Sequence, residues 1–446
     1  MCEVIHRRPP EQGRRLKRRL ERYFEFEALG ADWRTEILAG ATTFITMAYI
    51  VFVNPTILRD AGMPFTAVVA ATCLSAAFGS IVMGAYARYP IALAPGMGLN
   101  AYFAYTVVAG MGIPWQTALG AVFLSGVAFL ILTLTGIRQM IVSAIPSELH
   151  SAVATGVGLF IALIGFRNAG IIVADPATTV KLGNLRDPHT LLAIFGLLLI
   201  AALFAWGVRA AMLIGIVAIT LIGAALGLVP WNPQPYNFEE ISATAFKLDI
   251  ASTLKIGLIE IVFVFLFVDL FDNIGTLVAV GKKARLFVDD KIPRIGRIFL
   301  ADASATIAGS LTGTSTVVSY IESSAGVAAG GRTGVTAIVT GLLFLIALFV
   351  APLLGAIPAA ATAPALIVVG SFMASSVGEI DWSDFAIAIP AFLTMMMIPL
   401  TFSIANGLAF GFTAFTLLRI LRGEFRKVSP VVYILTLLFL LRFWYM

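Results

Sequence analysis

The stretch from Ile261 to Lys283 reads IVFVFLFVDLFDNIGTLVAVGKK and is long and apolar enough to cross a bilayer. Asp269 and Asp272 lie in its middle, although a charged side chain at that depth costs about 2.5–3.5 kcal/mol on insertion scales. Together with Thr276 these acids are spaced i, i+3 and i+7, so one face of a helix presents all three. The pattern fits a structural ion pair or a binding site for a polar solute. We favour the binding site, because two further apolar stretches also contain acids.

The composition of the whole chain is that of a membrane protein. Of its 446 residues, 59% are hydrophobic and only 12% are charged, and the mean hydropathy is +0.95. Globular domains carry about 25% charged residues, so we expect a polytopic membrane protein and exclude a soluble enzyme. Basic residues cluster at the N-terminus and in short loops, so the net charge of +5 does not indicate a nucleic-acid partner. The two cysteines and three histidines show no metal-ligand spacing, and we expect neither a metal nor a cofactor.

Fourteen apolar runs, separated by Gly, Pro and charged residues, predict an all-α polytopic membrane protein. We number these predicted transmembrane segments as spans 1 to 14. They cover residues 36–57, 65–85, 91–108, 114–136, 149–166, 190–207, 210–229, 256–280, 297–312, 314–330, 334–356, 359–377, 384–401 and 403–421. A final apolar stretch, 431–445, is short and contains Arg442, so we expect it to lie at the membrane interface.

The basic residues predict how these spans are oriented. Residues 1–34 are rich in Arg and Lys and contain no apolar core of a signal peptide, which predicts a cytoplasmic surface helix attracted to anionic membrane lipid. Placing the N-terminus in the cytoplasm puts 24 Lys and Arg residues on the cytoplasmic side and six outside. We therefore expect a multi-pass protein of the cytoplasmic membrane with both termini in the cytoplasm.

The chain also contains an internal repeat. Residues 75–84, SAAFGSIVMG, resemble residues 304–313, SATIAGSLTG, and each is followed by an interrupted, Gly-rich segment. These two broken segments are LAPGMGLNAYFAY at 93–105 and VSYIESSAGVAAGG at 318–331. Spans 1–7 and 8–14 are therefore predicted to be two copies, and because seven is odd the second copy is inverted in the membrane. Inverted repeats with broken segments at matching positions indicate a transporter site near the midplane.

Polar side chains in and beside the broken segments are candidate ligands. In the first, Pro95 interrupts the helix, and Asn100 offers both a donor and an acceptor. In the second, Glu322 could accept N–H groups of a ligand, carry a proton, or reach a helix N-terminus or a buried Lys. Asp302 lies among small residues of span 9, where it could instead brace the two broken segments without contacting substrate.

Several motifs together resemble one family over almost the whole chain. They are AGATT at 39–43, NP at 54–55, LAPGMGLNAYF at 93–103, FVDLFDNIGTL at 267–277, ADASAT at 301–306 and YIESSAGVAAGGRTG at 320–334. The chain resembles the nucleobase–ascorbate (xanthine/uracil permease) superfamily and is most similar to its AzgA-type branch, whose members take up hypoxanthine, guanine and adenine. Glu322 stands four residues before Gly326, whereas uracil-type relatives place their acid three before, and this argues for the purine branch.

The resemblance implies a core domain of spans 1–4 and 8–11 and a gate domain of the other spans, with the broken segments forming short antiparallel strands and half-helices. The implied divisions are a basic segment at 1–34, the core domain at 35–136 and 256–356, the gate domain at 137–229 and 357–422, and a C-terminal segment at 423–446. We also expect a homodimer through the gate domain. The expected substrate-binding residues are Asp272, Glu322, Asn100, Thr276, Gly98, Ile321, Ser323 and Thr43, and the expected proton-coupling residues are Glu322, Asp272, Asp269 and Asp302.

The predicted function is the import of purine nucleobases by proton symport. Two ionised carboxylates in one small cavity repel each other and are poorly solvated, so one should hold a proton and release it with the base into the cytoplasm. We expect Glu322 to carry the proton, because its broken segment should move, and Asp272 to anchor the base. The alternatives are a uracil or xanthine permease, an inorganic anion carrier of the same architecture, which the acidic centre disfavours, and an ion channel, which needs a continuous polar pore.

Overall fold

The computed structural model describes residues 11–228, 239, 242–255, 259–284, 292–350 and 357–445. Helices account for most of these residues. Some predicted segments and boundaries lie outside the described residues: residues 1–10 of the N-terminal segment, the domain ends at 229, 256 and 356, and residue 446. Within the described ranges, seven helices are by themselves long and apolar enough to cross a membrane.

The first repeat has seven segments in the predicted order. Span 1 consists of two helices, Trp33–Met47 and Ile50–Asp60, and span 2 is Phe65–Val82 followed by a π-helical turn, Met83–Ala87. Span 3 consists of strand β1 (Leu93–Pro95), half-helix 1 (Met97–Ala101) and the π-helical segment Tyr102–Gly110. Spans 4 to 7 are the helices Trp115–Leu134, Ser147–Asn168, Pro188–Ala205 and Ala211–Ala225. A hairpin of strands β2 (Ile172–Asp175) and β3 (Thr179–Leu182) connects spans 5 and 6.

The second repeat follows the same order. Spans 8 and 9 are the helices Ile259–Lys283 and Ile295–Thr312, and span 10 consists of strand β4 (Val317–Ser319) and half-helix 2 (Ser323–Ala328). Span 11 is Gly334–Val350, and span 12 is Ala359–Ala374 followed by a 3₁₀ turn, Ser375–Glu379. Spans 13 and 14 are Phe385–Leu400 and Ile404–Leu421. The remaining elements are helices Glu11–Tyr23, Phe26–Leu29, Ile137–Ala144 (the linker helix between spans 4 and 5), Ile250–Thr253 and Pro430–Tyr445, and the 3₁₀ turn Phe425–Lys427.

The two broken segments meet in a two-stranded antiparallel sheet. Leu93 pairs with Ser319, and Pro95 pairs with Val317. An open sheet edge is not tolerated in the hydrocarbon region unless its polar groups find partners. Here Ser80 of span 2 bonds both the N–H and the carbonyl of Leu93, and Thr306 of span 9 bonds both groups of Val317. Each outer edge is therefore closed by one hydroxyl from the neighbouring span.

Packing between the helices follows the repeat. Span 2 of the first repeat packs on span 11 of the second, and span 9 of the second packs on span 4 of the first. Spans 5 and 12 also pack along each other. The pairs 2–11 and 9–4 exchange when the two repeats are exchanged, while β1 and β4 pair with each other in opposite directions. The predicted all-α membrane protein with two inverted repeats of seven segments is therefore confirmed, and the strand pair lies where the two repeats cross.

Candidate functional site

A cavity of about 400 Å³ lies beside the strand pair. Its walls come from half-helix 1, span 8 and span 10 on one side and from spans 5 and 12 on the other. Small-molecule sites commonly measure about 300–1,000 Å³ and combine mainly apolar walls with a few polar groups. The polar groups here include carboxylates, hydroxyls and one imidazole, and none of the described lining residues is Lys or Arg.

Five of the eight predicted substrate-binding residues line this cavity together. They are Asp272, Glu322, Thr276, Gly98 and Ile321. They come from three segments that are far apart in the sequence, so the antiparallel pairing of β1 and β4 is what assembles them. The exposed fraction of Ile321 is 52%, which indicates that this end of span 10 borders open space.

Asp272 is the carboxylate that the protein leaves free. Within the described residues its side chain makes no hydrogen bond and no ion pair, although it lines the cavity. One of its oxygens, Oδ2, lies 3.7 Å from the position that a Cβ would occupy at Gly96, so the end of β1 stays close to this carboxylate without a side chain between them. A carboxylate with no protein partner can accept N–H groups of a ligand.

Glu322 is positioned by Tyr49. The Tyr49 hydroxyl, which is fully buried at the break between the two helices of span 1, donates a hydrogen bond of 2.6 Å to Glu322 Oε1. The ring of Tyr320, two residues before Glu322, is fixed in turn because its hydroxyl donates to the carbonyl of Pro95. Sequence reasoning did not include Tyr49, since nothing in its spacing relates it to a residue 273 positions away.

Substitution of Tyr49 by Phe should lower the affinity for substrate by about three- to tenfold, because a hydrogen bond to a carboxylate is lost while the ring is kept. Binding calorimetry on purified protein would measure the loss. In a Glu322→Ala background, which removes the acceptor of this hydrogen bond, the same substitution should have a smaller effect, as expected for a residue that acts through Glu322. Additive losses in the double variant would show that Tyr49 acts elsewhere.

Three predicted substrate-binding residues do not line the cavity. Asn100 accepts a hydrogen bond from Ser315 Oγ, so half-helix 1 turns this side chain toward the residues just before strand β4. The Ser323 hydroxyl instead accepts the N–H of Ala92 at 3.0 Å and extends the pairing of the two strands. Neither residue lines the cavity, since the Asn100 carbonyl oxygen accepts from Ser315 and the Ser323 hydroxyl accepts from Ala92. The assignment of both residues to substrate binding stays a prediction.

Thr43 also lies outside the cavity, at the contact between span 1 and half-helix 2. A Cβ at Gly326 would lie 2.0 Å from Thr43 Oγ1, so the two backbones approach closely there. Its side chain packs against the helix that follows Glu322, and its assignment to substrate binding stays a prediction.

Asp269 and Asp302 belong to a separate buried cluster that supports the strand pair. Asn273 Nδ2 donates to Asp269 Oδ1 and to Asp302 Oδ2, both at 2.8 Å, and Asn273 Oδ1 accepts the N–H of Ser319 in β4 at 3.0 Å. Neither acid lines the cavity. Of the two roles that the sequence leaves open for Asp302, this geometry fits the bracing of the broken segments. The assignment of Asp269 and Asp302 to proton coupling stays a prediction.

Arg138 provides the positive charge of this cluster. Its Nη2 lies 3.6 Å from Asp302 Oδ2, and its guanidinium is stacked between the rings of Phe129 and Phe299, 3.4 and 3.6 Å from their centroids. The side chain is 1% exposed. From the sequence, Arg138 counted only as a cytoplasmic loop cation, because the distant acid that it meets is brought to it by the fold.

Replacement of Arg138 by Met should destabilise the protein by about 3–5 kcal/mol, because removal of one partner leaves a buried acid uncompensated. The unfolding temperature in detergent should fall clearly, whereas Arg59→Met, at an exposed position, should leave it nearly unchanged. An additional Asp302→Asn substitution should restore part of the loss. If Arg138→Met unfolds at the wild-type temperature, the ion pair does not support the fold.

Spans 5 and 12 contribute polar groups to the cavity that the sequence motifs did not include. His150 and Ser151 lie in the first turns of span 5, and Glu379 ends the 3₁₀ turn after span 12. The Ser151 hydroxyl donates to Glu379 Oε2 at 2.7 Å. In the sequence, His150 and Ser151 stand at the start of an otherwise apolar span. Polar residues at that place usually lie at the membrane surface, so they do not by themselves indicate a binding site. Within the described residues, no group of three or more His, Cys, Asp or Glu side chains is arranged to hold a metal ion.

Two inverted repeats whose broken segments meet beside a central cavity form the architecture of a membrane transporter. A family model, Xan_ur_permease, described as "Permease family", matches residues 34–423. The chain therefore belongs to this family of permeases, and it is not an enzyme.

Named relatives match over nearly their full length. The adenine permease AdeP of Escherichia coli is 46% identical over 424 residues, which cover 95% of each chain. The guanine/hypoxanthine permease PbuG of Bacillus subtilis is 46% identical over 440 residues, covering 95% of this chain and 99% of that protein. Among solved structures, the transmembrane domain of the bicarbonate transporter BicA from a cyanobacterium has a TM-score of 0.64 at 15% identity, with 83% of this chain and 97% of that chain covered. This last likeness concerns the fold alone.

Proposed function

We propose that this chain imports purine nucleobases across the cytoplasmic membrane by proton symport. The observation that carries the proposal is the carboxylate of Asp272, which faces a cavity of about 400 Å³ and has no hydrogen-bond or ion-pair partner within the described residues. A neutral base with N–H groups would satisfy it. The names of relatives that are 46% identical, an adenine permease and a guanine/hypoxanthine permease, support a purine as the substrate.

Two carboxylates with different surroundings suit coupled binding of a base and a proton. Asp272 would accept N–H groups of the base, since no protein donor competes for it. Glu322 would carry the proton, because it lies on the broken segment and its only described hydrogen bond comes from the Tyr49 hydroxyl, which can donate to either protonation state. Release of the proton into the less acidic cytoplasm would then weaken the hold on the base.

Alternating access would come from movement of the core domain against the gate domain, as in an elevator. The strand pair, both half-helices and the Asp269–Asp302 cluster are tied together by hydrogen bonds and would move as one body. Spans 5 and 12, which pack along each other, would form the gate wall. The orientation with both termini in the cytoplasm, and a homodimer through the gate domain, are part of this proposal.

An inorganic anion carrier is the competing function, because the fold resembles that of a bicarbonate transporter. Anion sites use helix N-termini and basic side chains. The described lining of this cavity contains carboxylates and neither Lys nor Arg, which counts against an anion.

Uptake into proteoliposomes that contain the purified protein tests the substrate. Labelled adenine, guanine, hypoxanthine, xanthine, uracil and bicarbonate are compared, with protein-free vesicles as the control. We expect saturable uptake of at least one of adenine, guanine and hypoxanthine, and little uptake of uracil or bicarbonate. Uptake of bicarbonate without uptake of any purine would contradict the proposal.

A further inference from the structure

Two buried polar atoms in the wall of the cavity have no hydrogen-bond partner within the described residues. They are Nε2 of His150, on span 5, and Oγ of Ser319, at the end of strand β4. Buried polar groups in native proteins are nearly always hydrogen-bonded, so an orphaned one in a binding cavity points to a bound molecule. We infer that His150 and Ser319 donate hydrogen bonds to acceptor atoms of the bound base, which rests on the proposed function.

Four other hydroxyls of the cavity wall are already used by the protein. Ser151 donates to Glu379, Tyr320 donates to the carbonyl of Pro95, and Ser375 donates to the carbonyl of Phe372. Ser147 donates to Glu148 at 3.1 Å. The orphaned state of His150 and Ser319 is therefore not a general property of this wall.

The chemistry of the site requires donors as well as acceptors. Ionised carboxylates only accept hydrogen bonds, so Asp272 can serve the N–H groups of a base but not its ring nitrogens or carbonyl oxygen. No described lining residue is Lys or Arg, which leaves neutral donors to serve these acceptors. A buried acceptor left without a donor weakens binding. An imidazole N–H and a hydroxyl supply the donors that an ionised Asp272 cannot.

His150 is placed to act beside the anchor. Its ring contacts the ring of Phe271, the neighbour of Asp272 in span 8, with centroids 4.9 Å apart and the planes inclined by 63°. Ser319 lies on the other flank, where its backbone N–H is held by Asn273 and its hydroxyl is left over. The base would thus be bonded from span 5 by His150 and from span 10 by Ser319. The positions of the hydrogen-bond acceptors on a base, in addition to its N–H groups, would decide whether it binds.

The test uses purified full-length protein and binding calorimetry with hypoxanthine and four analogues. Purine lacks the carbonyl oxygen, and 3-deaza-, 7-deaza- and 9-deazahypoxanthine each lack one ring nitrogen. His150→Phe keeps the ring contact with Phe271 but cannot donate, whereas His150→Gln keeps a donor. Ser319→Ala removes the second donor, and His189→Phe, at an exposed histidine, is the matched control.

We expect His150→Phe and Ser319→Ala each to weaken hypoxanthine binding by about three- to tenfold, while His150→Gln and His189→Phe bind nearly as the wild type does. For the one analogue that lacks the acceptor bonded by the substituted residue, the variant and the wild type should bind with equal affinity. That analogue should be a different one for His150→Phe than for Ser319→Ala. Unchanged binding of hypoxanthine by His150→Phe, or an equal loss for every ligand, would overturn the inference. Should the Phe variant fail to fold, a loss of affinity in His150→Gln as large as tenfold would overturn it as well. If the wild type binds no purine, the proposed function itself fails, which is a different result.

Discussion

An Asp272→Ala variant should lose high-affinity purine binding while it still folds and inserts. The lost interactions are charge-assisted hydrogen bonds, worth about 1.5–3 kcal/mol each, so the dissociation constant should rise about tenfold to a hundredfold for each bond lost. Calorimetry with hypoxanthine and adenine measures this change. Asp381→Ala, at an exposed loop position, is the control that removes a carboxylate outside the cavity.

The stability of the same variant separates a binding role from a structural one. Because the Asp272 carboxylate has no hydrogen bond or ion pair within the described residues, its removal should leave the unfolding temperature in detergent unchanged or slightly higher. Asp302→Ala should lower it, since Asp302 bonds Asn273 and pairs with Arg138. Wild-type affinity in Asp272→Ala would reduce Asp272 to a structural residue and remove the basis of the proposed site.

A Glu322→Gln variant should bind and exchange purine but fail to accumulate it against a gradient. Glutamine keeps the size of the side chain and an oxygen that accepts the Tyr49 hydroxyl, yet it cannot exchange a proton. Proteoliposomes with a pH gradient, acidic outside, would show hypoxanthine equilibrating without concentrating. Counterflow with preloaded unlabelled hypoxanthine is the control that demonstrates intact exchange.

If this variant still concentrated hypoxanthine in response to the imposed pH gradient, a residue other than Glu322 would carry the proton. The Asp269–Asp302 cluster would then be the next candidate, because it contains two acids and one Arg. A variant that neither binds nor exchanges purine would place Glu322 in substrate binding alone and would also contradict its assignment as the proton carrier.

The spans, the inverted repeat and the two broken segments could be predicted because their signals are local. Apolar length defines a span, and Pro95 and the nearby glycines interrupt the helix wherever they occur. The acids Asp272 and Glu322 were also predictable, since a charge at membrane depth is costly and needs a reason. The structure places both of them in one cavity.

The direction of each side chain in the broken segments could not be predicted. Asn100 is the fourth residue of half-helix 1, and Glu322 stands directly before half-helix 2. Asn100 accepts a hydrogen bond from Ser315, whereas Glu322 lines the cavity. The difference depends on how each half-helix is rotated once β1 and β4 have paired, and this rotation has no periodic signal in a segment of five or six residues.

Partners that are distant in sequence were likewise hidden. Arg138 resembled an ordinary cytoplasmic loop cation until the fold brought it to Asp302, and Tyr49 and Glu322 are 273 residues apart. Asn273 was closer to being predictable, because it stands four residues after Asp269 on the same helix face. His150 offered only its place at the start of an apolar span.

Simultaneous recording of purine uptake and internal pH in proteoliposomes tests the central claim most directly. Hypoxanthine, adenine or guanine added outside, with no pH gradient imposed, should acidify the interior in step with uptake of the labelled base. Asp272→Ala should show neither signal above protein-free vesicles, and Glu322→Gln should exchange the base without moving protons. Purine uptake by the wild type with no change of internal pH, or an equal acidification in the Glu322→Gln variant, would contradict the account.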